Sequence, residues 1–344
     1  MRIQIVSDAW LPQINGVVRT LDTVRDELEA MGHEIDVLGP DRFRTMPCPT
    51  YPEIRLALLP DRKLAQHIDG FAPDAIHLAT EGPLGLSARR YCLTRGLPFT
   101  TSYHTRFPEY VRARVLFPEA WSYAILRRFH RPSRGIMVAT RSIRRELEAH
   151  GFGNIRDWSR GVDIALFHPH RRAELDLPRP IFAFVGRLAV EKNIAAFLSL
   201  DLPGSKMVVG DGPQAGDLKR RFPKAFFMGA QHGEALARLV ASADVFVFPS
   251  RTDTFGLVIL EAMASGVPVA AYPVPGPIDV VADAKVGVLD PDLRAAALKA
   301  LQLKSADARA YAEQFTWRRT AEQFLSFLEQ ISFSPHRSRC GEKL

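Results

Sequence analysis

Two carboxylates, Asp253 and Glu261, bracket the stretch Thr254-Phe255-Gly256-Leu257-Val258-Ile259-Leu260. The apolar run before them ends at Phe248, a polar loop with a glycine follows, and a helix is expected from about Gly256. The first amides of a helix have no internal partner and carry the positive end of its dipole, so Phe255, Gly256 and Leu257 suit a phosphate oxygen. Carboxylates on either side could accept hydroxyls of a sugar and a ribose. The plainer alternative makes Asp253 an N-cap and Glu261 a surface side chain.

Other loops add to this chemistry. Val185-Gly186-Arg187-Leu188 ends a strand-like run, with Glu191-Lys192-Asn193 just behind it. Arg187 and Lys192 suit a diphosphate, Arg as a planar fork and Lys as a point charge; solvated surface cations are the other reading. Asn15-Gly16-Val17 opens the first helix, as a phosphate or acceptor contact or as a plain βα turn. Val209-Gly210-Asp211-Gly212-Pro213 is no dinucleotide fingerprint, because the next glycine is Gly216; it lets backbone pass close to a ligand or a neighbouring loop. Asp290-Pro291-Asp292 is the one Asp-x-Asp in this set, and its late position and proline mark it as a turn and helix cap. No metal ligand set is assigned. Cys48, Cys92 and Cys340 are widely spaced and odd in number, which suggests neither a disulfide framework nor a zinc site.

These loops need a scaffold. Strand patterns at 2–6, 34–38, 75–79, 99–102 and 135–139 alternate with helical patterns at 17–31, 83–94 and 142–150. After a proline-rich stretch without apolar period at 167–180, read as a linker, a second series follows. Its strands are expected at 181–185, 206–209, 225–228, 245–248 and 267–271, and its helices at 191–200, 213–221, 233–242 and 257–265. Such alternation implies an α/β fold: two Rossmann-like domains, each with a mostly parallel sheet, and a ligand crevice at the strands' C-terminal ends. The expected domains are 1–166 and 167–316, with an amphipathic helix at 317–331 returning to the first and a flexible basic tail at 332–344.

The stretch from Phe248 to Ala262 resembles the E-x7-E signature of family 4 of the retaining GT-B glycosyltransferases. The likeness extends through Ser102-Tyr103-His104-Thr105, Arg160-Gly161-Val162-Asp163, Gly186-Arg187 with Lys192, and Ala264-Ser265-Gly266-Val267-Pro268-Val269, in the family's order over about residues 1–330. One departure stands out: Asp253 occupies the place of the first Glu, one methylene shorter. The resemblance implies two facing domains, the first for the acceptor and the second for a nucleotide-sugar donor. It assigns Arg187 and Lys192 to the donor diphosphate, Asp253 to sugar hydroxyls near C3, Phe255, Gly256 and Leu257 to sugar and phosphate through backbone amides, and Glu261 to the ribose diol. Gly16 falls near the donor phosphate and His104 against the transferred sugar, a buried core histidine being the alternative for the latter; Arg160 is placed on the cleft side. It also implies front-face attack, with the leaving phosphate taking the acceptor's proton, and neither metal nor cofactor besides the donor co-substrate. UDP-glucose, UDP-glucuronate and GDP-mannose all stay open as donors.

Charge narrows the acceptor. The net charge is +7, and between Thr105 and His150 ten arginines face only four acidic residues. They are interleaved with Tyr110, Phe117, Trp121, Tyr123 and Phe129. Such a stretch suits an anionic membrane surface, or a solvated helix whose aromatics enter the core. Glu81-Gly82-Pro83-Leu84-Gly85 and the run from Tyr103 to Tyr110 resemble the glycolipid-forming branch, whose acceptors are diacylglycerol or phosphatidylinositol-type lipids. A soluble sugar or polysaccharide intermediate is the alternative acceptor, and a non-catalytic nucleotide- or nucleic-acid-binding protein the alternative class. The cations are scattered and no nucleic-acid motif is found, so no nucleic-acid partner is expected. No run reaches the roughly 18 apolar residues of a membrane span, and the N-terminus lacks a signal-peptide layout. The expected location is therefore cytoplasmic, peripheral to the inner face of the cell membrane.

Overall fold

The computed structural model describes residues 1–13, 15–48, 51–104, 118–281 and 285–329. The chain divides into two compact units: one of Met1–Val138, Leu147–Trp158 and the chain from Ala321, the other of Ala139–Glu146 and Ser159–Thr320.

In unit 1, β1 (Arg2–Val6), α1 (Gly16–Ala30) and β2 (Glu34–Leu38) form the first βαβ turn. Helix α1 follows from Val18, Leu21, Val24 and Leu28, which recur every three or four residues and are all buried. A hairpin comes next, β3 (Thr45–Cys48) antiparallel to β4 (Tyr51–Ala57), then α2 (Asp61–Phe71). The unit continues with β5 (Ala75–Leu78), α3 (Pro83–Arg95), β6 (Thr100–Tyr103), α4 (Glu119–His130), β7 (Ile136–Val138) and β8 (Ile155–Asp157); between these two strands runs α5 (Arg141–Ala149), which belongs to the other unit up to Glu146 and to this one from Leu147. The main sheet is parallel throughout, in the order β2-β1-β5-β6-β7-β8.

Unit 2 contains β9 (Ile181–Val185), α6 (Ile194–Leu198), β10 (Ser205–Val209), α7 (Ala215–Arg221), β11 (Phe226–Phe227), α8 (Gly233–Ser242) and β12 (Val245–Phe248). It continues with α9 (Leu257–Ala264), β13 (Val269–Ala271), α10 (Pro277–Val280), β14 (Gly287–Leu289), α11 (Leu293–Ala300), α12 (Ser305–Ala312) and the start of α13 (Trp317–Phe327). Its parallel order is β11-β10-β9-β12-β13-β14. Strand β9 is apolar at every position and buried at every position, as a central strand covered on both faces must be. Phe182, Phe184 and Phe197 are buried there, and each contributes about 1.5–3 kcal/mol of transfer free energy.

In both sheets the strand order reverses beside the first strand, between β1 and β5 and between β9 and β12. Loops leaving the C-terminal ends of such a pair diverge and open a crevice, which is where open α/β sheets bind ligands.

Two local expectations change. The helix expected at 191–200 is instead a 3₁₀ turn, Val190–Lys192, and the short α6, broken at Asn193, whose φ is +52°. The stretch at 167–180 belongs to unit 2 and is fastened there: Phe167 is buried, and Arg172 and Arg179 both donate to Asp244. In α13, Phe324 is buried in unit 1, with its ring 4.8 Å from His77 and 5.2 Å from Trp158. The end of the helix pattern at Ile331 and the basic tail lie outside the described residues, as do Thr105, Tyr110, Phe117 and Cys340.

Candidate active site

At the switch point of unit 2, the loop after β9 carries Arg187 and Lys192, and the loop after β12 carries Ser250, Asp253 and the start of α9. Three hydrogen bonds join the two loops. Lys192 Nζ donates to Asp253 Oδ1 at 2.5 Å, Asn193 Nδ2 to the Pro249 carbonyl at 3.2 Å, and Ser250 Oγ to the Glu191 carbonyl at 3.3 Å. Lys192 is thus an ion-paired cation, and Asp253 is its counterion. The N-cap reading of Asp253 fails, since the N-cap of α9 is Gly256. The other carboxylate oxygen, Asp253 Oδ2, is buried and meets no hydrogen-bond partner. Arg187 is exposed at the edge of the same crevice.

Gly256 has φ +84°, a conformation that side chains resist. It turns the chain into α9 with no side-chain cap and no acidic residue in the first turn. The amide end of α9 is therefore left to the crevice, beside Phe255 and Leu257. Glu261, on the second turn of α9, is 2% exposed, so it is no surface side chain. The Gly210 and Gly212 loop serves its neighbour: a Cβ at Gly210 would lie 1.9 Å from the Gly186 carbonyl oxygen, and one at Gly212 2.6 Å from that of Leu188. These glycines seat the β10 loop against the Arg187 loop.

In unit 1, Asn15 caps α1, its Oδ1 accepting the amides of Val17 and Val18 at 3.0 Å each. Those two donors are committed, so the anion reading of this turn narrows to Gly16. His104 follows β6, half-buried, its ring edge-on to Trp158 at 5.7 Å. His77 in this unit is fully buried, held between the hydroxyls of Thr100 (2.8 Å) and Ser102 (2.7 Å). Burial pushes its pKa down to about 3. Arg160 is also buried, in unit 2, and burial pushes its guanidinium down to about 9.

Sequence reasoning missed the polar cluster at the switch point of unit 1. Asp8, just past β1, accepts the amides of Leu84 (2.8 Å) and Gly85 (3.2 Å) and the hydroxyl of Thr80 (2.9 Å). It thereby caps α3, and burial raises its pKa. Beside it, Glu81 pairs with the buried His130 at 3.2 Å. The available signal was an acidic residue two positions past the end of the first strand. Asp292 caps α11 through Arg294 and Ala295, and Asp290 accepts the Asp292 amide and pairs with Lys299. Among the described residues, no group of three or more His, Cys, Asp or Glu side chains is placed to hold a metal ion.

The chain and its fold have known counterparts. Residues 14–166 match the family model described as Glycosyltransferase Family 4, and residues 179–305 the model described as Glycosyl transferases group 1. The chain is 35% identical over 317 residues to a GDP-mannose-dependent alpha-mannosyltransferase of Mycolicibacterium smegmatis, covering 84% of each chain. It is 26% identical over 348 residues to an alpha-monoglucosyldiacylglycerol synthase of Streptococcus pneumoniae, covering 88% of this chain and 78% of that one. Among solved structures, sucrose-phosphate synthase of Thermosynechococcus elongatus superposes with a TM-score of 0.74 at 21% identity, covering 94% and 97%. The fold is that of the GT-B glycosyltransferases, built from two Rossmann-like halves. The chain belongs to glycosyltransferase family 4 and is a hexosyltransferase.

Proposed function

We propose that the protein moves a hexosyl unit, with retention, from a nucleoside-diphosphate sugar to a lipid acceptor, that unit 2 binds the donor and that unit 1 binds the acceptor. The observation that carries this is the crevice between β9 and β12, where the Lys192–Asp253 pair lies by a helix N-terminus that has no side-chain cap, with Arg187 on the same loop as Lys192. The bond that breaks joins the sugar's anomeric carbon to the diphosphate; the bond that forms joins it to the acceptor oxygen, whose proton passes to the departing phosphate. Arg187, Lys192 and the first amides of α9 stabilise the charge that grows on the diphosphate, by preorganised electrostatics. Asp253 Oδ2 accepts a sugar hydroxyl and Glu261 holds the ribose diol; of the unit 1 residues, Gly16 is assigned to the donor phosphate and His104 to the transferred sugar, as the family resemblance implies. Arg160, which is buried, has its role in fixing the chain around it. No metal is required, because Arg187 and Lys192 supply the positive charge.

The names of the relatives favour GDP-mannose as donor and a diacylglycerol-type lipid as acceptor. Purified protein, given GDP-mannose, UDP-glucose or UDP-glucuronate with diacylglycerol in mixed micelles, should form a glycolipid with GDP-mannose, its anomeric configuration retained by NMR. Donor turnover only with a soluble sugar acceptor would move the reading to that alternative.

We further propose that unit 1 docks on the anionic inner face of the cell membrane. On α4, Tyr123 and Phe129 enter the core, whereas Trp121 is 66% and Ile125 60% exposed, on one face with Arg128. Helix α3 is joined to it by Arg89, which donates to the carbonyls of Arg128 and Phe129, and exposes Leu86 and Leu93. Among the described residues no helix is long and apolar enough to cross a membrane. Binding to vesicles containing anionic lipid should exceed binding to neutral ones and fall with salt, since exposed charges are screened. Equal binding to both, or to neither, removes the docking claim.

A further inference from the structure

Helix α9 is satisfied at one end and open at the other. Eight residues make it about 12 Å long. At its C-terminus the carbonyls of Glu261, Ala262 and Met263 accept the amides of Ser265, Val267 and Gly266, with Gly266 at φ +73° closing the turn. The next carbonyl, that of Ala264, accepts from Arg309 Nη1 at 2.8 Å. The same nitrogen donates to Phe167 (2.8 Å) and Ile164 (3.1 Å), and Nε donates to Glu313 at 2.8 Å. One guanidinium on α12 thus clamps the end of α9 to the segment that follows Val162-Asp163, and its side chain is only 15% exposed.

We propose that Arg309 is a positioning residue for the donor site, an inference that rests on reading the N-terminus of α9 as the phosphate-binding end. It acts in two ways. It fixes α9 along its own axis, and so sets where the amides of Phe255, Gly256 and Leu257 and the carboxylate of Glu261 stand. Its charge also neutralises the negative pole of a short helix, leaving the positive pole as the uncompensated end. Lysine would restore the charge but not the three-way clamp, because an ammonium is a point charge rather than a planar fork.

The test compares Arg309→Gln, Arg309→Lys and Glu313→Gln with the parent enzyme, by calorimetry with GDP and UDP and by steady-state kinetics in both substrates. Displacing preorganised groups by a fraction of an ångström should raise the donor KM and weaken nucleoside-diphosphate binding about tenfold in Arg309→Gln. The acceptor KM should not move. Arg309→Lys should recover part of the loss, and Glu313→Gln should behave as the parent. A folded Arg309→Gln enzyme with parental donor KM and diphosphate affinity, or one whose donor and acceptor KM rise together, overturns the proposal. Should Arg309→Gln fail to fold, the same split is read in Arg309→Lys, at about threefold. Arg187→Ala is run alongside: parental diphosphate binding there would overturn the donor-site reading and this proposal with it. Loss of binding in Arg187→Ala beside parental binding in Arg309→Gln would overturn the role of Arg309 alone.

Discussion

Replacing Asp253 with Asn should move product binding and turnover in opposite directions. Asp253 Oδ1 lies 2.5 Å from Lys192 Nζ, and the two side chains are 17% and 24% exposed. At an effective dielectric of about 20, charges this close attract by about 6–7 kcal/mol, most of which desolvation cancels. A net of about 1.5–3 kcal/mol, the usual worth of a charge-assisted hydrogen bond, is what remains. A diphosphate that draws on the Lys192 charge must give up part of that pairing. If half is forfeited, the cost is about 1 kcal/mol, several-fold in affinity. Asn removes the competition, so GDP should bind Asp253→Asn several-fold more tightly than the parent. Turnover should fall by about 10²–10³, because a charged acceptor for the sugar hydroxyl is lost where the transition state needs it. Isothermal calorimetry with GDP and kcat on the glycolipid assay read the two effects separately. Diphosphate affinity that is unchanged or weaker in a folded Asp253→Asn enzyme would refute the idea that Lys192 is shared between Asp253 and the donor.

Arg187→Ala should cost about 10²–10³ in kcat/KM with little change in Tm, since Arg187 is exposed; parental kinetics would make it plain surface charge. Activity should survive EDTA, and restoration by Mg²⁺ or Mn²⁺ after its loss would overturn the metal-free mechanism. His77 sets an acid limit on stability. Its pKa is about 3 folded against 6.5 unfolded, so between those values the unfolded chain binds the extra proton and stability falls as pH falls. From pH 7 to pH 5 this single group should remove about 2 kcal/mol, read as a larger drop in urea midpoint for the parent than for His77→Asn. Equal drops in both would show that the histidine carries no such linkage.

What the sequence made legible, and what it did not, follows from the range over which each interaction acts. Strand β9 was readable because five consecutive apolar residues have few other fates, and α8 because its signals are local to ten residues. Asn193 was not: its left-handed backbone breaks a helical pattern that its side chain holds open by reaching Pro249, 56 residues away. The hairpin β3–β4 was missed for a related reason, since its pairing takes in Met46, Pro47 and Cys48, a run with no two-residue alternation to mark it. At the site, residue types pointed to a diphosphate crevice, yet the partners escaped. Sequence spacing set Arg187 beside Lys192 as a pair of cations, whereas the fold sets Lys192 against Asp253, 61 positions on. The same holds for Asn15, whose cap commits amides that a bare glycine turn leaves open. Local pattern names the elements and the chemistry they carry. Which charge neutralises which is fixed only when β9 and β12 lie side by side, and that pairing decides how strongly a crevice with these residues holds a diphosphate before and after the sugar has left.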